Sequence, residues 1–225
     1  MERVVVSWSG GKDASLALRE TRADPDREVV ELLTTVHADT GRVSLHGVRG
    51  DLLARQAAAL GLEVRTVPIP ADASNETYAD RLSGPMADYE ARGVDRLVFA
   101  DVHLEGVRDY REERLRGTAI DGAWPLWGRD TAAVARRFVD AGFSARVACV
   151  DGDALDRSWA GRRVDAAFFD ALPEGVDPCG EGGEFHTFVT DGPGFAGPVP
   201  VAVADVVSKP VGDGTYHYAD LVSAA

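Results

Sequence analysis

The sequence predicts an α/β protein, with a parallel-sheet domain followed by a smaller α+β domain. The chain opens with a β-branched strand (Val4–Val6), a Ser-Gly-Gly turn and a helical segment. Strand-like and helix-like segments then alternate up to about residue 117, which is typical of βαβ units and a parallel sheet. Beyond that point prolines and glycines become frequent, which indicates a unit richer in turns. We therefore expect a first domain over residues 1–117 and a second over residues 118–225.

The elements of the first domain have clear end signals. After a helix from Asp13, the expected elements are strands at 27–37, 62–67 and 96–100 and helices at 50–60 and 74–92. Gly61 and Gly93 end the two helices, because glycine readily adopts the left-handed conformation that follows a helix. Pro68 is expected to end the third strand. Ligands of parallel sheets bind beyond the carboxyl ends of the strands, so the Ser-Gly-Gly turn, His37 and Asp101 should share one edge.

The second domain gives weaker signals. We expect a helix over 131–141, a buried strand over 145–150 that uses Cys149 as core filler, and short extended runs at 199–207 and 215–218. The chain's two cysteines are too few for a disulfide framework, and they form no CxxC pair.

The segment Ser9–Asp13, here called the glycine loop, has the features of an anion site. Gly10 and Gly11 let an anion approach the backbone, and the amides that begin the helix point toward it. Lys12 adds a mobile charge, and Asp13 could hold Mg²⁺ bound to a polyphosphate. The spacing differs from both G-x-x-x-x-G-K-[ST] and G-x-G-x-x-G. We interpret the loop as an ATP site, with an ordinary tight turn as the alternative.

A second cluster of chemical groups lies in residues 177–188, which include Cys179, Glu181, Glu184 and His186. In a following strand, alternation would put Glu184 and His186 on the same face. An acid beside an imidazole suits proton transfer or Mg²⁺ coordination. A polar surface hairpin is the alternative, and a zinc site built from Cys179, Glu184 and His186 is a third interpretation.

Several dispersed motifs together resemble one family. The loop is similar to the SGGxDS loop of the PP-loop ATP pyrophosphatases. The chain as a whole resembles the diphthine–ammonia ligases through Ser9–Asp13, Phe99–Val102, Arg108–Arg114, Pro125–Trp127 and Cys179–Thr187. The resemblance implies a Rossmann-like (HUP/PP-loop) nucleotide domain joined to a smaller domain. It also implies ATP-dependent amidation of diphthine on elongation factor 2, with release of AMP and pyrophosphate.

Three positions depart from the family pattern. Ala14 replaces the usual serine after Lys-Asp, and His186 stands where those ligases tend to have an acid. The stretch that begins at His103 replaces their Ser-x-Tyr-Gln segment. These differences indicate a branch distinct from the ligases that act on elongation factor 2.

From these arguments we assign candidate roles. The expected ATP-binding residues are Ser9, Gly10, Gly11, Lys12, Asp13, Ser15, His37 and Asp101. The expected catalytic residues are Asp13, Glu181, Glu184 and His186, with Asp13 also a Mg²⁺ ligand. The expected substrate-binding residues are His46, Arg108, Arg111 and Cys179. Arg108 and Arg111 lie on one helical face and could hold an anionic acceptor; pairing with Glu112 and Glu113 on a solvated face is the alternative.

Charge and hydropathy limit the partners. The net charge is −13, and the two lysines are Lys12 and Lys209. This balance disfavours nucleic acid, since phosphate contacts need clustered cations. It also argues against a tRNA sulfur transferase, which would need paired cysteines as well. No apolar run is long enough to span a membrane, so we expect a cytoplasmic protein. The glycine loop and the family resemblance imply that it uses ATP, Mg²⁺ and ammonia. A nucleotide sensor is the remaining alternative, and the sequence is compatible with a homodimer.

Overall fold

A five-stranded parallel sheet organises the first half of the computed structural model, which describes residues 1–224. Its strands are β1 (Glu2–Ser7), β2 (Arg27–His37), β3 (Val64–Ile69), β4 (Arg96–Val98) and β5 (Asp121–Ala123). The connecting helices are α1 (Lys12–Ala23), α2 (Gly50–Ala59), α3 (Asn75–Ala91) and α4 (Glu105–Leu115). The strand order is β3-β2-β1-β4-β5, so the chain reverses its direction of winding between β1 and β4. Such a reversal opens a crevice at the carboxyl ends of those strands.

The second half builds a smaller antiparallel sheet. Its helices are α5 (Thr131–Asp140) and α6 (Ala166–Asp170), and its strands are β6 (Ser144–Asp151), β7 (Arg163–Val164), β8 (Phe185–Asp191), β9 (Val201–Val211) and β10 (Gly214–Ser223). A single 3₁₀ turn covers Arg157–Trp159. Strand β6 is central and pairs with β7, β8 and β10, while β9 pairs with the outer edge of β10.

The predicted α/β fold, with a parallel sheet and a smaller second unit, is confirmed, although several element bounds differ. Strand β3 continues through Pro68, where an end was expected, because β3 is an edge strand and can do without one N–H. Strand β5 was not expected; it joins the first sheet from beyond residue 117. Strands β9 and β10 form one long hairpin instead of two short runs. The mostly exposed side chains of β9 weaken the alternation that would identify this strand.

A continuous hydrophobic core joins the two sheets. It includes Trp8 and Leu53 from the first unit and Phe188 and Val189 from the second. Inside this core lies the fully buried side chain of Gln56. Its Oε1 accepts from the Trp8 indole at 2.8 Å, and its Nε2 donates to the carbonyls of Gly10 (3.0 Å) and Val189 (2.7 Å). One amide therefore ties the glycine loop to strand β8.

None of the helices in residues 1–224 is both long enough and apolar enough to cross a bilayer.

Candidate active site

A cavity of about 920 Å³ lies at the carboxyl ends of β1, β2 and β4, where loop 177–184 of the second unit meets the first. Most of the residues singled out from the sequence line it: Ser9, Gly11, Lys12, Asp13, His46, Asp101, Arg111, Cys179, Glu181 and His186. Five others do not line it: Gly10, Ser15, His37, Arg108 and Glu184. The structure thus brings the two sequence clusters together in one cavity.

The glycine loop is shaped by its neighbours. Gly10 has φ +78°, and a Cβ there would lie 2.8 Å from Leu53 and 2.9 Å from Gln56. Both the backbone angle and the packing therefore require glycine. The Lys12 amide, first in α1, donates to Thr187 Oγ1 of strand β8 at 3.0 Å. Gly10 thus shapes the loop without facing the cavity.

Two amides at the start of α1 remain free. Within residues 1–224 the N–H groups of Asp13 and Ala14 have no hydrogen-bond partner, as is usual for the first turn of a helix. Such amides, together with the helix dipole, favour an anion. Ser15 is not available to one, because its hydroxyl donates to the Gly11 carbonyl at 3.0 Å.

Lys12 is pinned in place, although the sequence suggested a mobile charge. Its side chain is only 2% exposed, and Nζ donates to Asp13 Oδ2 at 2.7 Å and to the Cys179 carbonyl. Burial opposes the charged form, but the negative charges around it, above all Asp13, prevail and raise the pKa of Lys12. An ammonium has three donors, so one N–H is left for a phosphate oxygen.

Asp13 offers a fitting ligand for Mg²⁺. Its Oδ1 is buried and has no hydrogen-bond partner among the described residues. Across those residues there is no group of three or more His, Cys, Asp or Glu side chains arranged to hold a metal. A protein cage is not needed, because Mg²⁺ on a nucleotide usually takes one or two carboxylates together with phosphate oxygens and water.

Glu181 holds loop 177–184 against the first sheet. Its Oε2 accepts from the amides of Val102 (3.1 Å) and His103 (3.2 Å), just beyond β4. Asp177 braces the same loop by accepting from the amides of Cys179 (2.7 Å) and Glu181 (3.3 Å). Burial raises the pKa of Glu181, although the two amides oppose the shift. Glu181 therefore joins the two units as well as lining the cavity.

Glu184 does not share the cavity with His186, which corrects the placement expected from strand alternation. Its Oε1 accepts from the Asp177 amide at 3.2 Å, and its Oε2 is buried without a hydrogen-bond partner among residues 1–224. The alternation fails here because β8 begins only at Phe185, after a turn in which Gly183 has φ +88°. Glu184 thus stabilises loop 177–184 from the side that does not face the cavity.

His46 and His186 meet on the cavity wall, with ring centroids 4.3 Å apart. Burial lowers the pKa of His46 to about 4 and lowers the pKa of His186 well below its ordinary value. Both imidazoles are therefore neutral near pH 7. His46 arrives on a loop after β2 whose Arg42 and Arg49 both pair with Asp220 of β10 at 2.8 Å. This clamp between the units brings the two histidines together.

The two candidate arginines of α4, Arg108 and Arg111, face different parts of the surface. Arg111 lines the cavity, pairs with Asp101 and lies 4.4 Å from the centre of the Phe99 ring. The Trp124 indole also donates to Asp101, at 3.2 Å. Arg108 faces a separate groove, where it pairs with Glu112 at 2.7 Å and stacks on two tryptophans. Of the two, only Arg111 reaches the cavity, whereas Arg108 pairs with Glu112 as the alternative interpretation predicted.

His37 lies away from the cavity, because strand β2 extends past the cavity before it ends at His37. In this last part β2 pairs with the edge strand β3 as far as Ile69. The β2 residues that do reach the cavity are Leu33, Thr34 and Thr35.

Sequence reasoning missed an apolar compartment of the same cavity. It lies between the first sheet and helices α3 and α4, and its lining includes Leu33, Tyr78, Leu82, Met86, Leu97, Phe99 and Tyr110. The Tyr110 hydroxyl is buried without a partner in the described part of the chain. The stripe Tyr78, Leu82, Met86 has helical i, i+4 spacing and could have indicated this face.

Comparison with known families matches both units. Residues 2–117 match the model of the diphthamide synthase N-terminal domain, and residues 130–210 match that of the diphthamide synthase C-terminal domain. A search of curated proteins found no matching relative.

Proposed function

This chain belongs to the diphthamide synthase family, and on that premise we propose that it is an ATP-dependent, AMP-forming ligase. In this proposal it adenylates a carboxylate acceptor, releases pyrophosphate and then passes the acyl group to ammonia. The observation that carries the proposal is the buried Lys12–Asp13 pair beside two free helix amides, in a cavity closed by a loop from the second unit.

The glycine loop suits the phosphates. The free amides of Asp13 and Ala14, with the remaining N–H of Lys12, would bind phosphate oxygens. Asp13 Oδ1 would hold Mg²⁺, which supplies charge neutralisation as pyrophosphate leaves. Ala14 has no hydroxyl, so the backbone replaces the contact expected of a serine. The apolar compartment near Phe99 is of a kind that accepts a flat base such as adenine.

His186 is the better candidate for the proton acceptor. It reaches the cavity as a neutral imidazole, whereas the carboxylate of Glu184 bonds to the loop behind it. A base here would take a proton from the attacking nitrogen as the amide forms. Arg111 and the Cys179 backbone lie on the same cavity and could position the acceptor.

The family resemblance suggests diphthine on elongation factor 2 as the first acceptor to test, and a cytoplasmic setting for the reaction. The chain would be incubated with ATP, Mg²⁺, ammonium and that acceptor, and the nucleotide products separated by anion-exchange chromatography. AMP with pyrophosphate supports the proposal. ADP with phosphate would overturn it.

A parallel incubation would use extract from cells that lack the gene, so that other acceptors are represented. If ATP binds in calorimetry and neither acceptor source gives AMP, the protein is a nucleotide sensor. The matched control is Arg136→Ala, which changes an exposed cation on α5 and should leave the product pattern unchanged.

A further inference from the structure

The cavity wall beside the glycine loop has an unusual charge pattern. We call its four side chains, His46, His186, Tyr216 and Tyr218, the acceptor wall; all of them line the cavity. Building on the proposed function, we propose that this wall selects an acceptor whose carboxylate-bearing end carries no positive charge. The two imidazoles are neutral, the nearby carboxylates have other partners, and Lys209 lies against the Tyr218 ring.

The imidazoles offer hydrogen bonds without charge. Among residues 1–224 the ring of His186 has no hydrogen-bond partner, and His46 contacts only the Ser44 carbonyl, at 3.3 Å. Both rings face the cavity beside Lys12. Neutral imidazole nitrogens can donate to or accept from an acceptor carboxylate or a neutral group. They give a cationic group no counter-charge.

The carboxylates around the wall are turned to other partners. Glu181 accepts from two backbone amides, and Glu184 accepts from the Asp177 amide. Asp220 is held between Arg42 and Arg49. Asp13 pairs with Lys12 through Oδ2, and its buried Oδ1 is the atom to which the proposed function assigns Mg²⁺. Asp151, beside Tyr216, accepts from the Asp153 amide at 3.1 Å. Each of these carboxylates therefore already has at least one partner.

The positive charges point to the same selection. In a chain of net charge −13, both lysines flank the wall. Lys12 lies at its base, and Lys209 Nζ lies 5.6 Å from the centre of the Tyr218 ring. Aromatic faces attract cations, but Lys209 already occupies this one. Lys12 is paired with Asp13, so the like charge that a cationic acceptor would meet at this ring is that of Lys209.

The departure at position 186 has a direct chemical meaning in this geometry. A glutamate there would supply one negative charge to the wall. With His186 that charge is absent. Diphthine carries a quaternary ammonium group, so this inference and the family-typical acceptor predict opposite outcomes for this chain.

Two small acids of the same shape test the inference by binding alone. One is γ-trimethylammonio-butyrate; the other is its carbon isostere, in which a tert-butyl group replaces the trimethylammonium group. Each would be titrated into the full chain with Mg²⁺ and a non-hydrolysable ATP analogue. The readout is proton–carbon NMR of the imidazole rings, assigned with His46→Gln and His186→Gln.

We expect the neutral isostere to shift the His46 and His186 signals with a dissociation constant at least about tenfold below that of the cation. His186→Glu should reverse the preference, and His186→Gln should keep it. Should the glutamate variant fail to fold, the wild type and His186→Gln still decide the matter. His217→Glu is the matched control, because strand alternation turns it away from the wall, and its preference should equal that of the wild type.

Equal affinities, a preference for the cation, or no shift of either histidine with either acid would each overturn the inference. None of these results depends on turnover. The proposed function fails separately, when no AMP is formed.

Discussion

The buried amide of Gln56 gives the sharpest test of how the site is held together. Gln56→Leu keeps much of the length and volume of the side chain but removes its donor and its acceptor. The Trp8 indole N–H and the Val189 carbonyl would then lose the partner seen in the structure. The Gly10 carbonyl keeps one bond, since it also accepts from the Val189 amide at 2.9 Å. Two orphaned buried groups at about 1–3 kcal/mol each predict a loss of about 2–6 kcal/mol in the free energy of unfolding.

The measurement is urea unfolding followed by circular dichroism, with the midpoint and slope compared between variants. The control is Arg55→Leu on the same helix, which removes only an exposed hydrogen bond to Ser223 and should cost less than about 1 kcal/mol. Calorimetry with a non-hydrolysable ATP analogue should also show weaker binding to Gln56→Leu, because the glycine loop loses its tie to β8. A stability loss no larger than that of the control would refute the reasoning. If stability falls but nucleotide affinity does not, the tie to the loop is not needed for binding.

The remaining predictions concern single side chains. Lys12→Ala should weaken ATP binding in calorimetry by about 1.5–3 kcal/mol, the value of a charge-assisted hydrogen bond; unchanged affinity would remove the loop assignment. His186→Gln should lower acceptor-dependent AMP formation by about 10²–10⁴-fold while ATP still binds, and Glu184→Gln should lose less; the reverse order would return the base to Glu184. The arginines, Arg49 first, lower the pKa of Asp220 from 3.8 to about 2. The ionised Asp220 therefore stabilises the fold fully above pH 3.8, and this stabilisation is lost as the pH falls toward 2. Between these values the free energy of unfolding of Asp220→Asn should depend less on pH than that of the wild type. The same pH dependence in both proteins would count against this prediction.

The first sheet was predictable because its strands and helices alternate with strong end signals. The turn at Gly10 and the start of α1 were equally predictable, since paired glycines after a strand favour a turn into a helix. The second unit was harder. Its strand β9 is largely exposed and β7 has only two residues, so neither shows the buried alternation that identifies a strand from sequence.

Within the site, the sequence indicated the residue types better than their directions. The predicted direction of Glu184 was wrong because strand β8 begins only at Phe185, so strand alternation does not extend to Glu184. His37 was expected at the cavity but lies away from it, because β2 extends four residues past the point where its neighbour β1 ends, at the pair Ser7–Leu33. The meeting of His46 with His186 depends on an arginine clamp between residues far apart in sequence, which no local pattern reveals.

The bond between the Lys12 amide and Thr187 joins residues 175 positions apart. The bond from Lys12 to the Cys179 carbonyl spans 167 positions, and Gln56, which bonds to Gly10, also bonds to Val189, 133 positions away. Contacts between distant residues form late, because a long stretch of chain must close before they are made. A chain still emerging from the ribosome could therefore build the first sheet without holding its glycine loop in the shape seen here. Under the proposed function, nucleotide binding would therefore begin only when strand β8 has folded.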